Sequence, residues 1–156
     1  MSQWFTGTGE KIDFDEIMYQ IKEHSFINGT VYVGTDSFFK KRDCIFSTAI
    51  CLHGADNQQG GRYFFKKNKT PKSKFPELST RMLKEAESTI VLANKIIERC
   101  SWAKLELHLD ISNTEKEEGT SHLANMLIGY VKGSGFNCKT KPYAFAAASI
   151  ADKHSK

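Results

Sequence analysis

The chain has 156 residues, of which 40% are hydrophobic and 26% are charged, with a formal net charge of +4 and a pI of about 8.8. This composition excludes a disordered or fibrous protein, and the length predicts one packed domain over residues 1–156. The mild basic excess suits a polyanionic partner, but many proteins without such a partner share it. The four cysteines form no CxxC pair, which argues against a zinc ribbon.

Targeting and membrane signals are missing from the sequence. The first ten residues contain no basic region followed by an apolar stretch, and no segment approaches the roughly 20 apolar residues that span a bilayer. We therefore expect a cytoplasmic protein that has no membrane partner. Its cysteines should be free and mostly buried.

The first half of the chain predicts a helix followed by three strands. Apolar residues at helical spacing, with acidic residues in the first turn, predict a helix at about residues 13–24. A run of β-branched and aromatic residues at 30–36 predicts a buried strand that ends at Asp36. Two further runs, at 44–53 and 62–67, flank a turn-forming segment and predict an antiparallel hairpin.

The second half alternates between helices and strands. Helical periodicity predicts helices at residues 76–100 and 115–132 and a final Ala-rich helix after Pro142. Strands are predicted at residues 104–111 and 136–141. Strands that are separated by helices usually pair in parallel. The predicted fold class is therefore α/β, a mixed five-stranded sheet flanked by helices, with strands one to three antiparallel and strands four and five parallel to strand one.

Two carboxylates fall near the ends of predicted parallel strands. Asp36 ends the first strand, and Asp110 lies near the end of the fourth. Ligands of open α/β sheets bind outside the carboxyl ends of the strands, where these two residues should meet. Close carboxylates repel each other unless a cation lies between them, and oxygen ligands without a Cys or His cluster favour Mg²⁺ or Mn²⁺. The sequence thus predicts a divalent-metal site.

Four segments, in this order and spacing, carry a family resemblance. They are GTDS at 34–37, RMLKEAE at 81–87, HLDIS at 108–112 and KPYAFAAASIADK at 141–153. Together they resemble the ribonuclease H-like YkuK family of bacterial and phage proteins, and the resemblance covers nearly the whole chain. It implies a ribonuclease H-like fold.

The resemblance also implies a catalytic site made of four acidic residues. Asp36, Glu85, Asp110 and Asp152 match the metal-binding and catalytic positions of that superfamily, which holds two Mg²⁺ or Mn²⁺ ions. Two ions about 4 Å apart would bracket a scissile phosphate. Glu87 is the alternative to Glu85, but at 100° per residue Glu85 lies closer to the apolar stripe of the helix.

The implied activity is that of a metal-dependent nuclease, which would hydrolyse phosphodiester bonds in RNA, RNA·DNA hybrid or structured DNA by a two-metal mechanism. The alternative is a non-catalytic nucleic-acid-binding or scaffold protein with a degenerate site. One departure from the enzyme pattern concerns histidine, because residues 140–142 leave no room for the loop His that some ribonucleases H use. His154 follows Asp152 by two positions and should point elsewhere on a helix.

A cluster of lysines follows the third predicted strand. Its members are Lys66, Lys67, Lys69, Lys72 and Lys74, and aromatic residues flank them. Lysines with interleaved aromatic side chains can bind phosphates and stack on bases, so this cluster is a candidate nucleic-acid-binding surface. A solvated loop next to core aromatic residues is an equally good interpretation. The identity of the nucleic acid and the oligomeric state stay open at this level.

Overall fold

A computed structural model of the chain describes residues 3–112 and 121–155. Its strands are β1 (Trp4–Thr6), β2 (Lys11–Ile12), β3 (Thr30–Lys40), β4 (Asp43–His53), β5 (Gly61–Pro71), β6 (Lys104–Ser112) and β7 (Asn137–Lys141). Its helices are α1 (Phe14–Phe26), α2 (Leu78–Arg99), α3 (Ser121–Gly133) and α4 (Asp152–Ser155), with a 3₁₀ turn at Lys72–Lys74 and a π-helical segment at Ala146–Ala151. No helix in these two ranges is long and apolar enough to cross a membrane.

One mixed sheet with the strand order β2-β1-β5-β4-β3-β6-β7 forms the centre of the fold. β4 is antiparallel to both β3 and β5, β6 is parallel to β3, and β7 is parallel to β6. The predicted strand directions are therefore confirmed. The predicted number of five strands is wrong, because β1 and β2 extend the sheet beyond β5. These two strands have three and two residues, too few for an alternating pattern to be recognised.

The strand that carries Asp36 is longer than predicted. β3 continues to Lys40 because its antiparallel pairing with β4 persists up to the pair Lys40–Asp43. Asp36 is thus an interior residue of β3 and not its last residue. On the other side of β3, the parallel pairing with β6 ends at Thr35 and Leu109. Asp36 therefore lies where one neighbouring strand stops pairing and the other continues.

The later helices also differ in part from the prediction. The helix predicted at 115–132 is seen as Ser121–Gly133, and residues 113–120 lie outside the described part of the chain. The final helix, predicted from Pro142, begins as the π-helical segment Ala146–Ala151 and becomes α-helical at Asp152. Three of the four cysteines are buried and all four are free, as expected.

The main hydrophobic core lies between one face of the sheet and the three longer helices. Val33 of β3 and Leu107 of β6 are fully buried in this core with Ala86 and Ala93 of α2. Residues of α1 and α3 belong to the same core cluster. This packing fixes α2 against β3, and it decides which α2 side chains reach the strand that carries Asp36.

The opposite face of the sheet is covered by the C-terminal segment, defined here as residues 146–155, which contacts β3, β4 and β6. The segment lies unusually close to Gly34, since a Cβ atom at this position would be 2.6 Å from the backbone nitrogen of Ala147. The backbone nitrogen of Ala146 donates a hydrogen bond of 3.0 Å to Nδ1 of His108. Gly34 and His108 together determine how closely the segment packs on the sheet.

Candidate metal centre

Asp36 and Asp110 lie side by side on adjacent parallel strands. The last residue pair between β3 and β6 is Thr35 with Leu109, and the two aspartates are the next residues on each strand. Because side chains alternate along a strand, both aspartates point to the face that the C-terminal segment covers. Asp36 is only 7% exposed, and the Asp110 side chain is 17% exposed. The structure therefore brings together the two carboxylates that the strand pattern predicted to meet.

Glu85 reaches β3 from α2, which lies along this strand so that successive helical turns contact alternate strand residues. Four helix residues rise about 6 Å and two strand residues about 6.7 Å, so contacts repeat at these intervals. Three successive contacts follow this pattern: Thr89 donates to Thr35 Oγ1 at 2.9 Å, Ser37 donates to Glu85 Oε2 at 2.5 Å, and the Arg81 guanidinium carbon lies 4.5 Å from the Phe39 ring centroid. The helix thus places Glu85 directly at Ser37, the neighbour of Asp36.

Glu85 is an unusual carboxylate because it is 7% exposed. Burial is the largest effect on its pKa, and together with the nearby charges of Asp36 and Asp110 it raises the value to about 8, against the opposing effects of the Ser37 hydrogen bond and the Arg81 charge. The Glu87 side chain, in contrast, is 48% exposed and pairs with Lys84 at 3.3 Å. Glu85 rather than Glu87 therefore belongs with the buried acidic residues, as the helix geometry predicted.

Asp110 has an incomplete set of partners. The Lys141 ammonium lies 3.2 Å from Asp110 Oδ1, which makes an ion pair. The same oxygen is buried and makes no hydrogen bond, so the ammonium is close without hydrogen-bond geometry. A buried carboxylate oxygen without a hydrogen bond is costly, and a divalent cation would offset its charge more fully than the ammonium does.

Asp152 is the first residue of α4, and its helix contacts β3 and β4 on the face to which Asp36 points. Its side chain lies outside what the structure describes. The assignment of Asp152 to the site therefore stays a prediction.

The three described carboxylates have the chemistry of a divalent-cation site. Asp36, Glu85 and Asp110 supply only hard oxygen atoms, they are mostly buried, and they repel one another. They do not converge on one point: among the described side chains, no group of three or more His, Cys, Asp or Glu residues could hold a metal ion. The hydrogen bond from Ser37 and the ion pair with Lys141 occupy two of the three carboxylates. The residue types of this donor set therefore suit a divalent cation, whereas their described arrangement does not form a site for one.

The candidate nucleic-acid-binding lysines do not form one surface. Lys66 lies on the α2 face of β5, where its ammonium is 5.1 Å from the Trp4 ring centroid, and burial and the charge of Lys95 lower its pKa. Lys67 and Lys69 project from the opposite face of the sheet by strand alternation. The structure thus divides the strand lysines between two faces.

Lys72 and Lys74 lie in the 3₁₀ turn that precedes α2, and both are exposed. The Lys72 ammonium is 4.9 Å from the Phe39 ring centroid, which brings it to the same ring as Arg81. Sequence reasoning left Arg81 and Ser37 out of the site. Their signal was present in the matching segments, because Arg81 precedes Glu85 by one helical turn and Ser37 follows Asp36 directly.

His154 takes part in a different contact. Its ring stacks on Phe65 with centroids 3.6 Å apart, and its Nε2 lies 2.9 Å from the hydroxyl of Tyr63. Burial and the charges of Lys153 and Lys67 lower its pKa. His154 therefore links α4 to β5, and because the Asp152 side chain lies outside what the structure describes, the prediction that the two residues point in different directions stays a prediction.

Comparison with known proteins places the chain in a family. A family model described as Ribonuclease H-like matches residues 13–156, which begins at the N-cap of α1 and leaves β1 and β2 outside. No curated protein and no solved structure gives a match to the chain. The matched range includes Asp36, Glu85, Asp110 and Asp152. Together with the mixed α/β sheet, this match shows that the chain belongs to the ribonuclease H-like family.

Proposed function

We propose that this protein is a metal-dependent nuclease, which hydrolyses phosphodiester bonds in RNA, RNA·DNA hybrid or structured DNA. One observation carries the proposal: Asp36 and Glu85, which are nearly buried and come from opposite layers, lie within electrostatic reach of each other and of Asp110. Mutual repulsion of carboxylates costs stability unless a bound cation offsets it. Residues with perturbed pKa values, such as Glu85, cluster at functional sites.

The residues that would hold Mg²⁺ or Mn²⁺ are Asp36, Glu85 and Asp110, joined by Asp152. When bound, two such ions supply an activated water and stabilise the leaving oxygen of the phosphodiester. The protein contributes orientation, because Ser37 fixes the Glu85 carboxylate through a hydrogen bond. It also excludes water, since Asp36 and Glu85 are 7% exposed, and the low local polarity strengthens their interaction with a cation.

The test has two parts, metal binding and cleavage. Mg²⁺ and Mn²⁺ are titrated against the melting temperature of the wild type, and end-labelled RNA, hybrid, duplex and branched DNA are then incubated with each metal. The decisive variant is Asp36→Asn, which keeps the size of the side chain and removes its charge. The matched control is Asp43→Asn, on the neighbouring strand of the same hairpin, where Asp43 pairs with the exposed Lys69.

We expect the metals to raise the melting temperature of the wild type and of Asp43→Asn but not that of Asp36→Asn. Cleavage should fall by at least about a hundredfold in Asp36→Asn, because loss of a metal ligand removes several kcal/mol of transition-state stabilisation. Equal cleavage by the wild type and Asp36→Asn would refute the nuclease mechanism.

A second candidate is a nucleic-acid-binding protein without catalysis. The ion pair between Lys141 and Asp110 favours it, because an internal ammonium can offset the acidic charge in the place of a metal. This protein would bind labelled nucleic acid but cleave none of the substrates, with or without Mn²⁺. The same panel of substrates therefore separates the two functions.

A further inference from the structure

Arg81 lies one helical turn from Glu85 on the side of α2 that contacts β3. Its guanidinium carbon is 4.5 Å from the ring centroid of Phe39, two residues beyond Ser37 on the strand. The helix rise places the backbones of Arg81 and Glu85 about 6 Å apart along the α2 axis. Arg81 is therefore the cation that α2 presents next to the candidate metal centre.

Arg81 has few hydrogen-bond partners among the residues that the structure describes. Its Nε is buried and makes no hydrogen bond to them, and no described carboxylate lies within 4.0 Å of its nitrogens, although its charge lowers the pKa of Glu85. A guanidinium carries five N–H donors in a planar fork that matches carboxylate or phosphate oxygens. Glu85, one turn further along the helix, accepts a hydrogen bond from Ser37, and Arg81 acts on it through charge alone. Arg81 thus lies against Phe39 with a buried Nε donor that no described residue accepts.

A second cation lies at the same ring. The ammonium of Lys72 is 4.9 Å from the Phe39 centroid and, like Arg81, has no carboxylate partner among the described residues. Lys72 is held in place because its backbone nitrogen donates to Arg42 at 2.8 Å and because Phe75, which closes the 3₁₀ turn, packs on Phe46. Two like charges fixed near one ring repel each other, and an anion between them would relieve that repulsion.

The start of α2 adds to this positive surface. The helix has 22 residues, and its N-cap residue Glu77 accepts no hydrogen bond from a backbone N–H of the first turn, since its carboxylate accepts from the Ser79 hydroxyl at 3.3 Å instead. Backbone N–H groups at an uncapped helix start carry partial positive charge and bind anions. The Phe39 platform, defined here as Phe39, Lys72 and Arg81, therefore lies between an uncapped helix start and the acidic residues.

We propose that the Phe39 platform binds a phosphate group of the nucleic-acid backbone, next to the phosphate group at which the metal centre cleaves. Arg81 is the main donor to this phosphate. This inference rests on the proposed function, and it names the partner as a phosphodiester backbone rather than a base. Cations stacked on Phe39 occupy the ring, so backbone contact and not base stacking is the expected mode. Such contacts position the strand without reading its sequence.

The test measures binding separately from cleavage. Fluorescently labelled RNA and RNA·DNA hybrid are titrated with protein in EDTA, and fluorescence anisotropy gives Kd at several salt concentrations. The variant is Arg81→Gln, and the matched control is Arg99→Gln. Arg99 is the arginine in the last turn of α2, where it lies 5.7 Å from the Phe14 ring centroid and pairs with Asp15 at 2.9 Å. Both variants remove an α2 guanidinium that lies against an aromatic ring, Phe39 of β3 in one case and Phe14 of α1 in the other.

We expect Arg81→Gln to raise Kd roughly tenfold at low salt and to reduce the slope of log K against log salt by about 0.7 to 0.9, the value for one lost phosphate contact. Arg99→Gln should change neither quantity. Circular dichroism monitors folding, and Arg81→Lys, which keeps the charge but loses the fork, should give an intermediate Kd if Arg81→Gln does not fold.

The outcomes separate this inference from the proposed function. If Arg81→Gln and the wild type bind with the same Kd and salt slope while the wild type cleaves, phosphate binding by the Phe39 platform is refuted and the nuclease proposal is kept. If the wild type binds in an Arg81-dependent manner but cleaves no substrate, the nuclease proposal is refuted and phosphate binding by the Phe39 platform is kept. If the wild type binds no substrate at low salt, both are overturned.

Discussion

The hydroxyl of Ser37 on β3 donates a hydrogen bond of 2.5 Å to Glu85 Oε2 on α2. This contact joins the residue next to Asp36 to a nearly buried carboxylate of the opposite layer. It exists because α2 packs along β3 with matching repeats, so each helical turn meets every second strand residue. Ser37 thereby orients a candidate metal ligand without being one itself.

Removing the Ser37 hydroxyl should therefore impair metal binding more than folding. We expect Ser37→Ala to weaken Mg²⁺ binding severalfold, because the Glu85 carboxylate loses the donor that fixes its orientation. Unfolding free energy should fall by only about 1 kcal/mol, the usual cost of one hydrogen bond. Isothermal titration with Mg²⁺ and chemical denaturation measure the two effects. Ser101→Ala, at an exposed turn, serves as the control, and equal metal affinity of both variants would contradict this role.

The raised pKa of Glu85 predicts how stability depends on pH. The value is about 8 in the folded metal-free protein and 4.5 for an ordinary glutamate, so between these values the folded state binds a proton that the unfolded chain releases. Stability should therefore decrease as pH rises from about 4.5 to 8, by at most about 1.4 kcal/mol per pH unit from this group. Glu85→Gln should flatten this decrease and Glu87→Gln should not. Denaturation curves at pH 5, 6, 7 and 8 provide the measurement.

A bound divalent cation should oppose this loss of stability at high pH. At pH 8 the Glu85 carboxylate is available to a cation, whereas at pH 6 a proton competes for it. We expect the increase in melting temperature caused by Mg²⁺ to be larger at pH 8 than at pH 6 in the wild type. In Asp36→Asn the increase should be small at both values. A larger increase at the lower pH would argue against a cation at these carboxylates.

Gly34 should be intolerant of any side chain. A Cβ atom there would lie 2.6 Å from the nitrogen of Ala147 and 2.9 Å from the carbonyl carbon of Ala146, both of which are backbone atoms. Gly34→Ala should therefore push the C-terminal segment, with Asp152, away from β3, and cost about 1 to 3 kcal/mol of stability. Gly129→Ala, in open space on α3, is the control. The rate of proteolysis near residue 146 and the melting temperature report the displacement. If Gly34→Ala changes neither quantity, the prediction is contradicted.

His108, on β6, should also fix the C-terminal segment against the sheet. It is fully buried, its Nδ1 accepts from the backbone of Ala146 at 3.0 Å, and its Nε2 lies 2.9 Å from Glu106 Oε1. We expect His108→Ala to cost about 2 to 4 kcal/mol, since it leaves a buried backbone donor unpaired and creates a cavity. The exposed His122→Ala on α3 should have almost no effect. Urea denaturation of both variants decides whether the imidazole has this role.

The sequence by itself determined the order and direction of the long elements. Strand alternation and helical periodicity depend on local spacing, so β3 to β7 and α1 to α3 could be predicted to within a few residues, although the described part of α3 begins only at Ser121. The same spacing favoured Glu85 over Glu87, because the angle around a helix is a local property. Asp36 and Asp110 could be paired for the same reason, since parallel strands place their carboxyl ends together.

Only the tertiary structure decided what surrounds these carboxylates. The short strands β1 and β2 form because β5 offers them an edge, and two or three residues carry no periodic signal. Arg81, Ser37 and Phe39 meet because α2 lies in step with β3, which depends on core packing between elements distant in sequence. The alternating faces of β5 separated lysines that are neighbours in the sequence. The raised pKa of Glu85 follows from burial and from charges on two strands, and these are properties of the assembled fold alone.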